Sequence, residues 1–367
     1  MRTKNVAIIQ PEVPHYRTEF FDCLNQKLGV SDIYIYNSLD NTKLSGFEVN
    51  KDGFIYMWNK KIKNLLIYNP LVFFNKKYDT LVLMLHFGHI TTWFLLLTKW
   101  LHGKKIILWG QGISVKRYLA EEKKPDWKLK LMIFLADGIW LYMKKEERQW
   151  RLIFPNKPII ALQNTLTGVN EMVNYTPTVL KHQLKEKYKI KEKTVLIFCA
   201  RFESNYRRTD LLVETIQKLD NKKFGFIIIG KGKNKPDLSH YSNVYDFGAV
   251  FDTFVKRELF TIADMYFQPG WVGLSIVEAM AYGKPICTFK RSEDILQCVE
   301  YSYIEPLGGS DNPNGLIFEN IEDCLKTFNI IKDNDIELMG KNARKLVRDN
   351  LTVENMVSKA LRVLEQV

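Results

Sequence analysis

The chain has 367 residues, 46% of them aliphatic or aromatic, and its net charge is +12. This length predicts two globular domains, and the balanced composition argues against a low-complexity or repeat protein. Five dispersed cysteines with no Cys-x-x-Cys spacing argue against a disulfide framework or a cysteine zinc site, and they favour a reducing compartment.

Short apolar strands alternate with helical patterns over the first 160 residues. The strand patterns lie at Val6–Ile9, Ile33–Tyr36, Leu81–Leu85, Ile106–Trp109 and Ile139–Tyr142. The helical patterns include Thr18–Leu28, Thr91–His102 and Trp127–Ala136. Strands that alternate with helices predict a parallel sheet built from right-handed crossover units.

Residues 80–98 contain no charged side chain and are the one candidate for a membrane span. His86, Gly88 and His89 interrupt this stretch near its centre, whereas a span needs about 20 mainly apolar residues. We therefore predict a strand, a turn and a helix. In that helix Trp93, Leu96, Leu97 and Trp100 repeat at helical spacing, which we interpret as a stripe that faces the core.

Polar residues follow three of the predicted strands. They are His15, Tyr16 and Arg17 after the first strand, His86 and His89 after Leu81–Leu85, and Gln111 after Ile106–Trp109. Loops at the carboxyl ends of parallel strands form the ligand edge of such a sheet. These side chains are therefore candidate ligand contacts, although Arg17 is equally compatible with a plain helix start, and either histidine with a polar cap.

A polar, turn-rich stretch at residues 163–177 predicts a linker to a second α/β domain. The apolar run Thr194–Ala200 predicts a buried strand, with Arg201, Arg207 and Asp210 behind it. Two cations just past the end of a strand are well placed to neutralise a diphosphate. A solvated basic loop is the alternative interpretation.

The segment Gln268–Cys287 follows another short strand and is the most informative part of the chain. It turns on Pro269, Gly270 and Gly273 and then enters a helix that carries Glu278. Such a turn points backbone N–H groups and the positive helix end at one place, where a diphosphate can bind. The Glu278 carboxylate can accept hydrogen bonds from two ribose hydroxyls. An ordinary strand–turn–helix unit is the alternative.

This segment resembles the donor-binding signature of glycosyltransferase family 4, which reads Glu, seven residues, Glu-Ala-Met/Leu-Ala-x-Gly-x-Pro. Glu278 matches the second glutamate, whereas Gly270 stands where the first one is expected. Arg201 matches the arginine of the family's Gly-Arg-Leu element, and Arg207 stands where a lysine is usual. The Phe224–Gly232 stretch, which ends in Gly-x-Gly, is similar to a further element of the family, and a plain tight turn is its alternative. The Asn243–Val250 stretch resembles the strand and loop that hold the nucleobase, and all these elements stand in the family's order.

The resemblance implies an α/β protein of GT-B architecture, with two Rossmann-like domains facing a central cleft. Residues 1–165 would bind the acceptor, residues 166–350 the nucleotide-sugar donor, and residues 351–367 would form a helix that packs back on the first domain. It implies four catalytic residues, namely His86, Arg201, Arg207 and Glu278. The implied donor contacts are Arg201, Arg207, Gly230, Phe247, Gly248, Pro269, Gly270, Val272, Gly273, Leu274, Ser275 and Glu278. The implied acceptor contacts are His15, Tyr16, Arg17, His89 and Gln111.

The expected activity is transfer of a sugar, with retention of configuration, from a nucleotide diphosphate sugar to a hydroxyl of a glycan. A lipid-linked acceptor in bacterial surface polysaccharide synthesis, of lipopolysaccharide or capsule, is the expected setting. We expect no metal and no other cofactor. Asp333-Asn-Asp335 imitates a metal-binding Asp-x-Asp, but it precedes a helical pattern, so we interpret Asp335 as its N-cap.

Positive charge is concentrated in the first domain, since residues 1–170 contribute +11 of the net +12. Basic runs at residues 60–63 and 123–130 lie near Trp58, Tyr68 and Trp127. Each basic residue near an anionic bilayer contributes about 1 kcal/mol of attraction. We therefore expect a cytoplasmic protein that is peripheral on the membrane, with a plain solvated surface as the alternative. No nucleic-acid motif is present, and the apolar run Val6–Ile9 is too short for a secretory signal.

Two other functions stay open at this point. A nucleotide-sugar epimerase has the same two-domain architecture but needs no acceptor. A non-catalytic donor-binding partner subunit is suggested by Gly270, because the glutamate expected there usually contacts the transferred sugar. The residues do not identify the nucleotide, the sugar, the acceptor or the oligomeric state.

Overall fold

The computed structural model describes residues 4–28, 30–36 and 53–367. The chain divides into two compact units. Unit 1 comprises the described residues up to Gly168 together with Thr352–Val367, and unit 2 comprises Val169–Leu351. Each unit is an α/β layer structure built on its own parallel sheet.

The strands of unit 1 are β1 (Asn5–Gln10), β2 (Val30–Ile35), β3 (Phe54–Tyr56), β4 (Asn59–Ile62), β5 (Leu65–Tyr68), β6 (Thr80–Met84), β7 (Lys105–Gly110), β8 (Gly138–Leu141) and β9 (Ile159–Ala161). Seven of them form a parallel sheet in the order β3-β2-β1-β6-β7-β8-β9, and β4 and β5 form an antiparallel hairpin. The five strand patterns predicted for this half of the chain are all strands, with bounds shifted by a few residues.

The helices of unit 1 are α1 (Thr18–Lys27), α2 (Ile90–Leu97), α3 (Lys99–His102), α4 (Tyr118–Lys123), α5 (Trp127–Leu135), α6 (Lys144–Ile153) and α14 (Val353–Gln366). The last helix packs on α1, β8 and β9. Gly138 permits this approach, since a Cβ there would lie 2.6 Å from the Val363 side chain.

Two predictions for the segment after β6 were wrong. The helix expected over Thr91–His102 is two helices, because the backbone leaves helical geometry at Thr98. The stripe expected to face the core is divided, with Leu96 buried but Leu97 and Trp100 exposed. No helix in the described part of the chain is both long enough and apolar enough to cross a bilayer.

The strands of unit 2 are β10 (Thr194–Cys199), β11 (Phe224–Ile229), β12 (Val244–Gly248), β13 (Met265–Phe267), β14 (Ile286–Phe289) and β15 (Gly315–Phe318). Its helices are α7 (Val169–Asn174), α8 (Lys181–Lys187), α9 (Thr209–Lys218), α10 (Thr253–Ile262), α11 (Ser275–Ala281), α12 (Ile321–Ile330) and α13 (Asp333–Asn350). All strand pairs are parallel, in the order β12-β11-β10-β13-β14-β15.

The linker expected at residues 163–177 includes the boundary between the units, at Gly168 and Val169. It is not an irregular stretch, however, since it contains α7, and Gln163, Asn164 and Thr165 are buried. One smaller prediction for the second half was wrong. Asp335 is not an N-cap, since α13 already begins at Asp333 with Lys332 before it. Asp335 instead lies in the first helical turn, where a carboxylate still interacts favourably with the helix dipole.

Candidate active site

The strand order of unit 2 reverses between its two central strands, β10 and β13. In doubly wound sheets, ligands bind outside the carboxyl ends of the strands at this reversal. Arg201 and Arg207 follow β10, and the turn at residues 269–273, here called the glycine turn, follows β13. The structure therefore brings the predicted arginines and the predicted turn to one edge of the sheet.

Two buried glutamines hold the glycine turn. Gln268 donates through Nε2 to the carbonyls of Gly270 (3.1 Å) and Trp271 (2.7 Å). Gln297 accepts from the Val272 amide (2.8 Å) and donates to the Phe289 carbonyl of β14 (2.9 Å). Both side chains are completely buried. The turn is therefore fixed from both sides before any ligand binds.

The Arg207 guanidinium lies against the same turn, because its Nη1 donates to the Trp271 carbonyl at 2.7 Å. Burial lowers the pKa of Arg207, and the charge of Arg201 lowers it further, so the two cations are near one another. No carboxylate of the described residues forms an ion pair with Arg207. An arginine has five N–H donors, so this half-buried cation retains donors for an anion.

The adjacent arginine has a different role. Arg208 binds Asp210 through Nε (2.9 Å) and Nη2 (2.6 Å), at the start of α9. Its backbone adopts the left-handed conformation (φ 52°). Arg208 therefore turns the chain from the 3₁₀ turn at Asn205–Arg207 into the helix, while Arg207 faces the glycine turn.

Gly270 stands where the resemblance expects a glutamate, and it lies against residues 201–208, here called the arginine loop. A Cβ at this position would lie 2.5 Å from the Tyr206 carbonyl oxygen and 2.9 Å from the Arg208 side chain. The Tyr206 ring also stacks on Trp271, with centroids 4.9 Å apart and planes 21° apart. Backbone of the arginine loop therefore leaves no room for a side chain at residue 270, and the two segments fit each other.

Glu278 lies in the first turn of α11, where both of its carboxylate oxygens bind Lys256 at 2.7 Å. The side chains are only 25% (Lys256) and 13% (Glu278) exposed. Burial acts to lower the pKa of Lys256, but the adjacent carboxylate and its hydrogen bonds raise it above the ordinary value. Sequence analysis missed Lys256, which lies on α10 and carries no local signal of this contact.

The amides that open α11 face the same edge of the sheet as the glycine turn. Among the described residues, those of Gly273 and Leu274 donate no hydrogen bond. The Ser275 hydroxyl does not cap the helix, since it contacts the Tyr266 hydroxyl (3.1 Å) and the Gln268 amide oxygen (3.3 Å). A ligand anion can therefore use the two amides without displacing a protein partner.

The predicted nucleobase loop lies at the ends of β11 and β12. The Gly230 amide donates to the Gly248 carbonyl (2.6 Å), and a Cβ on Gly230 would lie 2.0 Å from the Ala200 carbonyl oxygen. The Phe247 ring packs edge-on against Tyr188, with centroids 5.5 Å apart. The Gly-x-Gly element therefore permits close approach of the β10 and β11 loops, and its contact with a base stays a prediction.

Unit 1 has the same kind of reversal, between β1 and β6, and His86 follows β6 there. Its Nδ1 accepts from the Gly88 amide (3.1 Å), which leaves the proton of the neutral ring on Nε2. The His89 ring is buried 4.7 Å away. Partial burial and the charge of Lys61 lower the pKa of His86, and burial lowers the pKa of His89 to about 4. Both rings are therefore neutral at pH 7.

The other predicted acceptor residues differ in how exposed they are. His15 is exposed, and Tyr16 and Gln111 are half-buried at the same edge. Arg17 is buried, donates to the Asn164 amide oxygen (2.6 Å) and lies 5.3 Å from the Trp109 ring centroid. Its contacts are therefore those of a side chain that packs inside unit 1, and its role toward an acceptor stays a prediction.

Comparison with known proteins agrees with these features. Residues 193–323, which lie within unit 2, match the model of the family described as glycosyl transferases group 1. An uncharacterised glycosyltransferase of Haemophilus influenzae is 24% identical over an alignment of 242 positions that covers 62% of this chain. The chain spans 61% of the length of that curated relative.

Solved structures show the fold. HepE of Anabaena in complex with UDP superposes with a TM-score of 0.65 at 12% identity, covering 99% of this chain and 100% of that chain. The lipopolysaccharide outer core galactosyltransferase WaaB in its apo form gives 0.57 at 14% identity, with 94% and 99% covered. The predicted GT-B fold of two Rossmann-like units is thus confirmed, and the comparisons together support a glycosyltransferase of this type.

Proposed function

We propose that this chain transfers a sugar, with retention of anomeric configuration, from a nucleotide diphosphate sugar to a hydroxyl of a glycan, as family 4 enzymes do. One observation carries the proposal: Arg207 binds the carbonyl of the glycine turn at the sheet reversal of unit 2. This contact joins a half-buried cation to a fixed turn with free amides, which is the chemistry a diphosphate needs.

Each donor-side group has a distinct task. Arg201 and Arg207 neutralise the negative charge that develops on the departing diphosphate, and the Gly273 and Leu274 amides bind its oxygens. Glu278 exchanges the Lys256 ammonium for ribose hydroxyls when the nucleotide binds. We expect neither a metal nor another cofactor, because these fixed donors supply the positive charge.

The bonds and the proton of the transfer reaction are all accounted for without a protein nucleophile. The bond between the sugar C1 and the phosphate oxygen breaks, and a bond from C1 to the acceptor oxygen forms on the same face. The acceptor proton passes to the departing phosphate oxygen. Neutral His86, with its proton on Nε2, donates a hydrogen bond to a sugar hydroxyl, and His15, Tyr16, His89 and Gln111 contact the acceptor.

The acceptor in this proposal is a lipid-linked glycan of a bacterial surface polysaccharide or oligosaccharide pathway, reached from the cytoplasmic side of the membrane. The similarity to WaaB and the positive charge of the first 170 residues support this setting. UDP is the first nucleotide to test, because HepE has been crystallised with UDP and with UDP-glucose.

A thermal-shift screen with the diphosphates of uridine, guanosine, cytidine and adenosine, and with their sugar conjugates, tests the proposal. One diphosphate is expected to raise the unfolding temperature of the wild type and to fail with Arg207→Gln. Two further experiments test the other functions. Incubation with the sugar conjugate alone identifies an epimerase, which would isomerise the sugar without an acceptor. Transfer in a reconstituted pathway identifies a non-catalytic subunit, which would bind the nucleotide although Glu278→Ala and Arg201→Ala leave the transfer rate unchanged.

A further inference from the structure

Unit 1 exposes a large apolar surface on the helices that follow β6 and β7. Its principal side chains, here called the insertion face, are Phe94, Leu97, Trp100, Trp127, Leu131 and Phe134. Four of them are mostly exposed, namely Leu97 (62%), Trp100 (79%), Trp127 (68%) and Phe134 (63%). Isolated exposed apolar residues are ordinary, but a contiguous group of large ones marks an interaction surface.

Helix α5 shows why this surface is unusual. Trp127, Leu131 and Phe134 repeat at helical spacing on its exposed side, while Leu129, Met132 and Ile133 are buried on the other. A surface helix normally has one apolar stripe, and a helix that is apolar all round is normally covered on every side. Three large apolar side chains of α5 are thus open to solvent.

Helices α2 and α3 repeat the pattern beside α5. Leu95 and Leu96 are buried, whereas Phe94, Leu97 and Trp100 are exposed. The α2 and α5 helices are in contact, and Lys99 of α3 donates to the carbonyl of Leu135 at the end of α5 (3.1 Å). The exposed side chains of the three helices therefore belong to one face of unit 1.

Lysines border this face. Lys128 lies 5.7 Å from the Trp127 ring centroid and 5.2 Å from that of Phe87. Lys123, Lys124 and Lys130 are exposed on α4 and α5. None of these four lysines forms an ion pair with a described residue. The nearby Asp137 is already paired with Lys99.

We infer that the insertion face docks unit 1 on an anionic bilayer, with α2, α3 and α5 in the plane of the interface. Large apolar rings then enter the boundary between headgroups and acyl chains, and the lysines contact lipid phosphates. A second copy of the chain is a poorer occupant, because it would bring an equal set of unpaired lysines against the first. The charge of the border complements an anionic lipid surface.

This inference rests on the proposed function only for the identity of the lipid-linked acceptor. It also goes beyond electrostatic attraction, because it assigns binding to apolar insertion by named side chains. Attraction of lysines alone disappears at high salt, whereas insertion of apolar side chains does not. Vesicle binding needs neither donor nor acceptor, so its failure and the failure of sugar transfer are separate results.

Flotation of the full chain with vesicles of phosphatidylethanolamine and phosphatidylglycerol tests the inference. We expect binding that is reduced but retained at high salt. The triple variant Leu97→Ser, Trp100→Ser, Phe134→Ser should weaken binding roughly 100-fold, given the apolar area removed. The matched control is Phe251→Ser, Phe254→Ser, Ile330→Ser, which removes equally exposed side chains of unit 2 and should bind as the wild type does.

A second measurement does not depend on the triple variant folding. Lipids brominated along the acyl chain should quench tryptophan fluorescence of the wild type, and Trp100→Phe with Trp127→Phe should remove most of that quenching while binding persists. Absence of quenching, absence of vesicle binding, or equal loss in the control variant would overturn the inference. So would sedimentation showing that the triple variant converts a dimer to a monomer with no change in vesicle binding.

Discussion

The two units share a sheet topology but differ in the chemistry at the reversal of strand order. In unit 2 the edge carries a half-buried arginine, a second arginine nearby, and a turn held by glutamines. In unit 1 the corresponding edge carries two histidines whose pKa values burial lowers. The sheet topology places a ligand site at the reversal of strand order in both units, and the loop side chains determine the charge of that site.

This difference suits a transfer between a charged donor and a neutral acceptor. A diphosphate needs fixed positive charge, because a buried and unpaired anion is costly. A sugar hydroxyl needs donors and acceptors without net charge. Substitutions and a change of pH can test both edges, and the strongest effect is expected at the donor edge of unit 2.

Replacing Arg207 or its neighbour Arg208 by glutamine should have very different effects on the rate of sugar transfer. Arg207→Gln removes a fixed donor of the glycine turn and should cost about 3 kcal/mol of transition-state stabilisation, roughly 150-fold in kcat/KM. Arg208→Gln is the matched control, because Arg208 binds Asp210 instead. Steady-state kinetics of both variants measure this, and equal losses would contradict the assignment.

Breaking the pair beneath the helix start of unit 2 should destabilise the protein. Lys256→Met leaves the Glu278 carboxylate largely buried without its partner, and we expect a loss of about 2 kcal/mol in the free energy of unfolding. Lys341→Met removes an exposed pair with Glu337 and should leave stability close to that of the wild type. Denaturant titration compares the two variants, and similar losses would show that the Lys256 pair is not special.

A methyl group at Gly270 should disturb the arginine loop. Gly270→Ala places a Cβ 2.5 Å from backbone, so we expect a loss of about 1.5 kcal/mol in the free energy of unfolding. Gly273→Ala lies in the same turn, but its nearest neighbour would be the Cys298 sulfur at 3.8 Å, so its stability should be close to wild type. If both variants are equally stable, the close fit described for Gly270 is wrong.

The lowered pKa of His89 in unit 1 should give a smaller effect, on the pH dependence of the unfolding free energy. His89 has a native pKa of about 4, below its ordinary value, so the unfolded state binds more protons as the pH falls from 7. Stability is therefore lost on acidification, by about 1 kcal/mol between pH 7 and 5.5 from this residue. His89→Gln should remove that part of the pH dependence of the unfolding free energy. An unchanged dependence would mean that His89 has the same pKa in the native and the unfolded state.

Much of the fold could be predicted from the sequence because parallel strands that are buried on both faces read as apolar runs. Thr194–Cys199 and Phe224–Ile229 are examples, and the turn after β13 was visible through Pro269 and Gly273. Exact bounds depended on neighbours: Thr98 interrupts a helix that the pattern makes continuous.

The support of the site could not be predicted, since it depends on residues far apart in the chain. Gln297 binds the glycine turn from 25 residues away, and Lys256 reaches Glu278 from another helix. Gly270 is explained only by the Tyr206 backbone that faces it. Nor does spacing show which side of an apolar helix is covered, so Leu97 and Trp100 were assigned to the core.

The central claim is that Arg207 and the glycine turn bind a diphosphate. Calorimetric titration of wild type and Arg207→Gln with the nucleoside diphosphate selected by the screen, and with the matching nucleoside, tests it most directly. The account predicts that the substitution weakens binding of the diphosphate strongly and leaves the nucleoside unaffected. Equal weakening of both ligands, or of neither, would contradict it.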